Sequence, residues 1–119
     1  MIGNYYIGIM SGTSLDAIDV VIAKRDTEGF IQVAGIAPDL PSQLREQLLT
    51  ICNEKQVTLQ QLGEVDHQFA LLCAETVLQL LKKTGIQASQ ISAIGSHGQT
   101  IFHNPLSPFP FSQQIGDGN

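Results

Sequence analysis

The sequence predicts an α/β domain with a mixed sheet, its first three strands antiparallel and its helices flanking the sheet. Three features carry this expectation. The first third of the chain consists of β-branched apolar runs split by turn-forming residues. The middle third switches to a helical period, and the last third returns to strand-like runs among Gly and Pro.

Tyr5 to Met10 is a short apolar run that stops at Ser11-Gly12. Ile18 to Ala23 is rich in β-branched residues and ends at Lys24-Arg25. Asp26-Thr27-Glu28-Gly29 has the composition of a hairpin turn, and Phe30 to Ala37 resumes an apolar pattern. Three successive strands joined by a tight loop and a hairpin imply an antiparallel meander.

Pro41 suits the first turn of a helix, in which Leu44, Leu48, Ile51 and Cys52 recur at helical spacing. Thr58 and Gln61 have the spacing of a capping box for a second helix. Its apolar stripe is Leu62, Val65, Phe69, Leu72, Cys73, Val77, Leu80 and Leu81. Lys82-Lys83 suit its last turn and Gly85 its C-terminal cap, while His67 falls off the stripe and reads as a solvated helix residue. Ile91 to Gly95 reads as a buried strand, the Pro-rich stretch around Pro105, Pro108 and Pro110 as a loop, and Phe111 to Ile115 as a last strand. The order is therefore three strands, two helices, a strand, a loop and a strand. That is the pattern of a ribonuclease-H-like half-domain, although order alone leaves ferredoxin-like and other α/β sandwiches open.

The chain has 119 residues, the size of one domain, and 43% of them are hydrophobic, enough for a real core. No apolar run approaches the roughly 20 residues that span a bilayer, and no basic segment followed by an apolar one marks a secretory signal. The formal charge is −5 and the six basic residues are scattered apart from the pairs Lys24-Arg25 and Lys82-Lys83, which argues against an electrostatically driven nucleic-acid binder. An anionic ligand must be held by backbone dipoles or a metal ion. Cys52 and Cys73 fall on apolar helical positions and read as two buried free thiols, as in a reducing cytoplasm.

Three stretches carry chemistry. Ser11-Gly12-Thr13-Ser14 places three hydroxyls and a glycine between two strand-like runs. Such a loop can wrap the phosphates of a nucleotide, with Asp16 and Asp19 placed to hold a magnesium ion beside them. The same residues are turn formers, so composition leaves an ordinary hairpin equally open. No Lys follows as in a Walker loop, and the glycine spacing is not that of a dinucleotide fold.

The second stretch, Gly95-Ser96-His97-Gly98-Gln99-Thr100, follows a strand, where α/β proteins place ligand groups. His97 has only small neighbours, and Gln99 and Thr100 can hydrogen-bond a polyol; a purely structural histidine remains as good a reading. A metal pair of His97 and His103 lacks a nearby third ligand in sequence. In the third stretch, Gln114-Ile115-Gly116-Asp117-Gly118-Asn119, Asp117 is either a turn residue or a ligand contact. A hydrolase triad of Ser14, His97 and Asp117 can be drawn on paper, but no nucleophile elbow supports it.

Taken in order, Gly8-Ile9-Met10-Ser11-Gly12-Thr13-Ser14-Leu15-Asp16, Ile94-Gly95-Ser96-His97-Gly98-Gln99-Thr100, His103-Asn104-Pro105 and Gln114-Ile115-Gly116-Asp117-Gly118 resemble the N-terminal portion of the anhydro-N-acetylmuramic acid kinase family. The resemblance covers essentially the whole chain. It implies a cytoplasmic sugar kinase of the actin, sugar-kinase and Hsp70 superfamily. It further implies that the enzyme uses ATP and Mg2+ to open the 1,6-anhydro ring of anhydro-N-acetylmuramic acid and yields the 6-phosphate, a step of peptidoglycan recycling. By the same resemblance, Gly12, Thr13, Ser14, Leu15, Asp16, Ala17, Ile18 and Asp19 form the ATP-phosphate loop. Ser11, His97, Gln99, Asp117 and Asn119 line the sugar side of the cleft. Position 17 carries Ala where the family usually carries Gly, a substitution that matters only if the site needs positive φ or a close phosphate approach. Family members are much longer, with two similar halves around the cleft, and their proposed catalytic base lies beyond Asn119. The expectation is an N-terminal half-domain that folds at least in part, does not turn over alone, and exposes an apolar face prone to pairing as a homodimer. A non-catalytic sugar- or nucleotide-binding half-domain is the alternative.

Overall fold

A computed structural model describes residues 4–12 and 14–118. Strands β1 (Tyr5–Ser11), β2 (Ile18–Asp26) and β3 (Gly29–Ile36) form the expected antiparallel meander. The Asp26 carboxylate accepts the Glu28 N–H at 2.8 Å and closes the hairpin between β2 and β3. Helices α1 (Ser42–Glu54) and α2 (Leu59–Thr84) follow, and β4 (Ile91–Ser96) then returns to lie parallel to β1. The sheet order is β3-β2-β1-β4.

Alternation decides which face of the sheet is covered. Ile7 and Ile9 of β1 and Ile18, Val20 and Ile22 of β2 are buried, while the intervening Tyr6, Gly8, Met10, Asp19 and Val21 are half-buried or exposed. The buried set packs against Leu44 and Leu48 of α1 and Val65, Phe69, Cys73, Val77 and Leu80 of α2 in one core. The helices thus sit on one face. The opposite face carries an edge-to-face pair of Tyr6 and Phe30 with ring centroids 5.2 Å apart.

The helix signals hold. Thr58 Oγ1 accepts the Gln61 N–H at 3.1 Å, and the Gln61 side chain accepts the Thr58 N–H at 3.0 Å. Gly85 caps α2 at φ 74°, with Lys82 and Lys83 in the last turn. Pro41 precedes α1 as its N-cap residue and is not in its first turn. Cys73 is buried and Cys52 partly so; both are free thiols, and burial raises the pKa of each. No helix among the described residues is long and apolar enough to cross a membrane.

Two elements differ from expectation. β4, read as a buried strand, is exposed from Ser92 to Ser96, with Ile94 54% exposed, because it lies at the edge of the sheet. Gln99–Asn104, read as polar segment and loop, is a strand, β5, and pairs antiparallel with β6 (Phe111–Ile115) in a separate two-stranded sheet. Its alternation was present in the sequence, but one of its inward positions is Gln99, a polar residue that hid the period. The His103 ring and the Ser112 hydroxyl, directly paired across this ribbon, lie 2.6 Å apart.

Candidate functional site

The site follows from one topological fact: β1 and β4 are neighbours running in the same direction, so the loops leaving their C-terminal ends emerge side by side. Gly8 and Ile9 stand opposite Gly95 and Ser96, and His97 N–H donates to the Ile9 carbonyl at 3.0 Å. Below the loops the Ser11 hydroxyl donates to the side-chain carbonyl of Gln99, whose own amide donates to the Thr100 carbonyl at 3.0 Å. Ser11 and Gln99 are both buried, so they tie the base of the first loop to the start of β5.

The first loop is shaped by Leu15. Its side chain is 2% exposed and its backbone is left-handed, with φ 56°. Gly12, the residue the sequence offers for an unusual backbone, has no positive φ and has room for a Cβ. The Leu15 N–H bonds to the Gly12 carbonyl at 3.3 Å, and its carbonyl accepts from Arg45 Nε of α1 at 3.1 Å. Arg45 also reaches the Asp16 carboxylate at 3.4 Å. Ile18 is fully buried, and its N–H bonds to the Pro38 carbonyl at 3.2 Å. Leu15 and Ile18 therefore frame the loop from the core, and the surface they support is built from Gly12, Ser14, Asp16 and Asp19, all exposed. Thr13 lies outside the described residues.

Ala17 forms an antiparallel bridge with Asp39 and is not among the described residues of positive φ. The methyl group therefore brings no backbone strain at this position. Asp19 opens onto the uncovered face of the sheet beside Met10, whereas Asp16 is engaged by Arg45. Among the described residues no group of three His, Cys, Asp or Glu side chains could hold a metal by itself.

The second loop is held differently. His97 is exposed, and the Gln114 side-chain amide donates to its carbonyl at 2.9 Å. Gly98 has φ 75°, and a Cβ there would lie 2.7 Å from the Ile115 carbonyl oxygen. The turn after β4 and the end of β6 cross at a distance only glycine permits. Past the crossing, the Gly116 N–H donates to the carboxylate of Asp66 in α2, and Gly116 itself has φ 127°. Gly116, Asp117 and Gly118 line an apolar cleft of about 430 Å³ with Ile9, Ser96 and the Cys73–Val77 side of α2. Asn119 lies outside the described residues. Asp66 and Arg45 were absent from the sequence expectations: each is one charge on a helix, with its partner about 50 or 30 residues away. An Asp in mid-helix, against its propensity, was the only local signal at Asp66.

The sequence profile of the family described as "Anhydro-N-acetylmuramic acid kinase" matches residues 4–119. A protein of that name from Vibrio vulnificus (strain YJ016) is 46% identical over 114 residues, covering 96% of this chain and 31% of the relative. The namesake from Vibrio parahaemolyticus serotype O3:K6 is 44% identical over 114 residues, covering 96% of this chain and 31% of the relative. That from Pasteurella multocida (strain Pm70) is 44% identical over 115 residues, covering 97% and 30%. The chain thus spans about a third of the length of the curated relatives it matches. With both motif loops inside the matched region and meeting at one end of the sheet, the chain belongs to the anhydro-N-acetylmuramic acid kinase family.

Proposed function

We propose that this chain supplies a half-site of an ATP-dependent kinase that opens the 1,6-anhydro ring of anhydro-N-acetylmuramic acid and phosphorylates O6. One observation supports the reading: the parallel β1/β4 pair sets the hydroxyl-bearing loop and the His97 turn side by side, as adjoining phosphate and sugar sites require. The sheet order β3-β2-β1-β4 and the meander fit the ribonuclease-H-like half-domain of the sugar-kinase superfamily.

In this reading Gly12, Thr13 and Ser14 cradle the nucleotide phosphates, and Asp19 faces the Mg2+ that neutralises their charge. Two carboxylates at most suffice, because Mg2+ keeps several waters and takes phosphate oxygens. Asp16 acts through Arg45 to fix the loop. Phosphoryl transfer depends on positioning and charge neutralisation, which a framed loop provides. His97 and Asp117 hydrogen-bond the sugar hydroxyls, and Ser11 and Gln99 hold the floor below them. Two free thiols fit a cytoplasmic setting.

Calorimetry with ATP–Mg2+ and with anhydro-N-acetylmuramic acid, beside a coupled ADP-release assay, tests this. Binding of sugar or nucleotide without turnover is the expected result. Binding of neither overturns the reading, and turnover matching that of a full-length relative overturns the half-site assignment. Sugar binding with no response to nucleotide would favour a non-catalytic binding role.

A further inference from the structure

We propose that Asp66 is a positioning residue for the sugar side of the cleft, a role that rests on the reading of Asp117 as a sugar contact. Asp66 lies on α2 between Val65 and Phe69, both buried in the core, so its backbone is fixed. Its carboxylate accepts the Gly116 N–H, while Gly116 rests on the Phe69 ring, to which an added Cβ would come within 3.8 Å. One helix thus provides both an apolar floor and a charged acceptor for a single backbone unit. The neighbouring residue, Asp117, is thereby delivered to the rim of the cleft that Ser96 of β4 also lines. The Gly98–Ile115 crossing and the Gln114 amide on the His97 carbonyl pin the same segment from the other side. The His97 turn and Asp117 are therefore held as one unit, registered to α2 through Asp66, with Asp117 at the cleft. A charge-assisted hydrogen bond to a backbone N–H suits this task, since it is directional and stronger than a neutral one.

The test uses the chain as it stands, with amide exchange at Gly116 and calorimetric binding of anhydro-N-acetylmuramic acid. Asp66→Ala is expected to speed exchange at Gly116 and to weaken sugar binding about tenfold, the worth of one such hydrogen bond. Asp66→Asn keeps an acceptor oxygen without the charge and is expected to fall between the unsubstituted chain and Asp66→Ala in both readouts. Asp66→Glu keeps the charge but shifts the acceptor by one methylene. It is expected to loosen Gly116 and weaken binding, and it stands in should Asp66→Ala not fold. Gly116 exchange unchanged in Asp66→Ala or Asp66→Glu overturns the proposal. So does sugar binding that survives a loosened Gly116, or a loss in Asp66→Asn equal to that in Asp66→Ala. If the unsubstituted chain binds no sugar, the functional reading fails, while exchange at Gly116 still decides whether Asp66 holds the segment.

Discussion

The two loops at the C-terminal ends of β1 and β4 sit side by side yet are held by opposite means. The loop after β1 is fixed by a large side chain, Leu15, driven into the core against an unfavourable backbone conformation, with Arg45 clamping its carbonyl. The turn after β4 is fixed by the lack of side chains: Gly98 and Gly116 let two backbones cross, and Gln114 and Asp66 fasten them. The first therefore tolerates change on its outer surface and not at its anchor. The second tolerates almost no added atom at the crossing. In the proposed reading the first loop wraps phosphates, which needs an exposed rim on a firm base. A turn that presents one histidine and one aspartate needs close registry.

The largest effect is expected at the anchor. Leu15→Ala should destabilise the chain by about 3 kcal/mol, the usual cost of emptying a core leucine site. Leu15→Gly should cost no more than that in urea unfolding, because glycine recovers about 1 kcal/mol at positive φ. A clearly larger loss for Leu15→Gly would show that no strain resides there.

Next comes the crossing. Gly98→Ala combines left-handed φ with a contact against a backbone oxygen and should cost about 2 kcal/mol. It should also speed amide exchange at Gly116; stability equal to the unsubstituted chain would mean the two segments are free to part.

Arg45→Ala should cost about 1 kcal/mol, since the Asp16 ion pair is exposed and the main loss is the bond to the Leu15 carbonyl. Nucleotide affinity should fall and the melting temperature should drop by about 4 °C, and Arg45→Lys should recover only part of the affinity, because the donor to Leu15 is Nε. Equal affinity in Arg45→Ala would remove the clamp from the phosphate site.

The smallest change is at position 17. Ala17→Gly restores the residue usual in the family, yet it should lower stability by about 0.5 kcal/mol, because the backbone there needs no glycine and gains freedom in the unfolded chain. A gain in melting temperature would contradict the bridge geometry of Ala17.

Much of this was legible in the residues. The Thr58/Gln61 box, Gly85 and Lys82-Lys83 mark α2 because capping and dipole effects act within one turn. The alternation of Ile18, Val20 and Ile22 marks the buried face of β2 in the same local way. Within the candidate site, Asp16 and His97 are exposed as polar loop residues should be. Strand β5 escaped because its inward residue Gln99 is polar, and its side-chain oxygen finds its partner in Ser11, 88 residues away. The left-handed backbone of Leu15 had no local signal, since no local rule favours leucine at positive φ.

The sequence by itself determined the order of elements apart from β5, the two ends of α2, the face of the meander that is buried, and the motifs that mark the family. These follow from local backbone preference and from the period of apolar residues. Only the tertiary structure decided that Leu15 bends into the core, that Ala17 sits harmlessly in a bridge, and that Arg45 and Asp66 each grip a distant backbone. The reason is physical: the burial of Leu15 outweighs its backbone cost, and a lone charge on a helix has no meaning until packing brings a backbone group within hydrogen-bond reach.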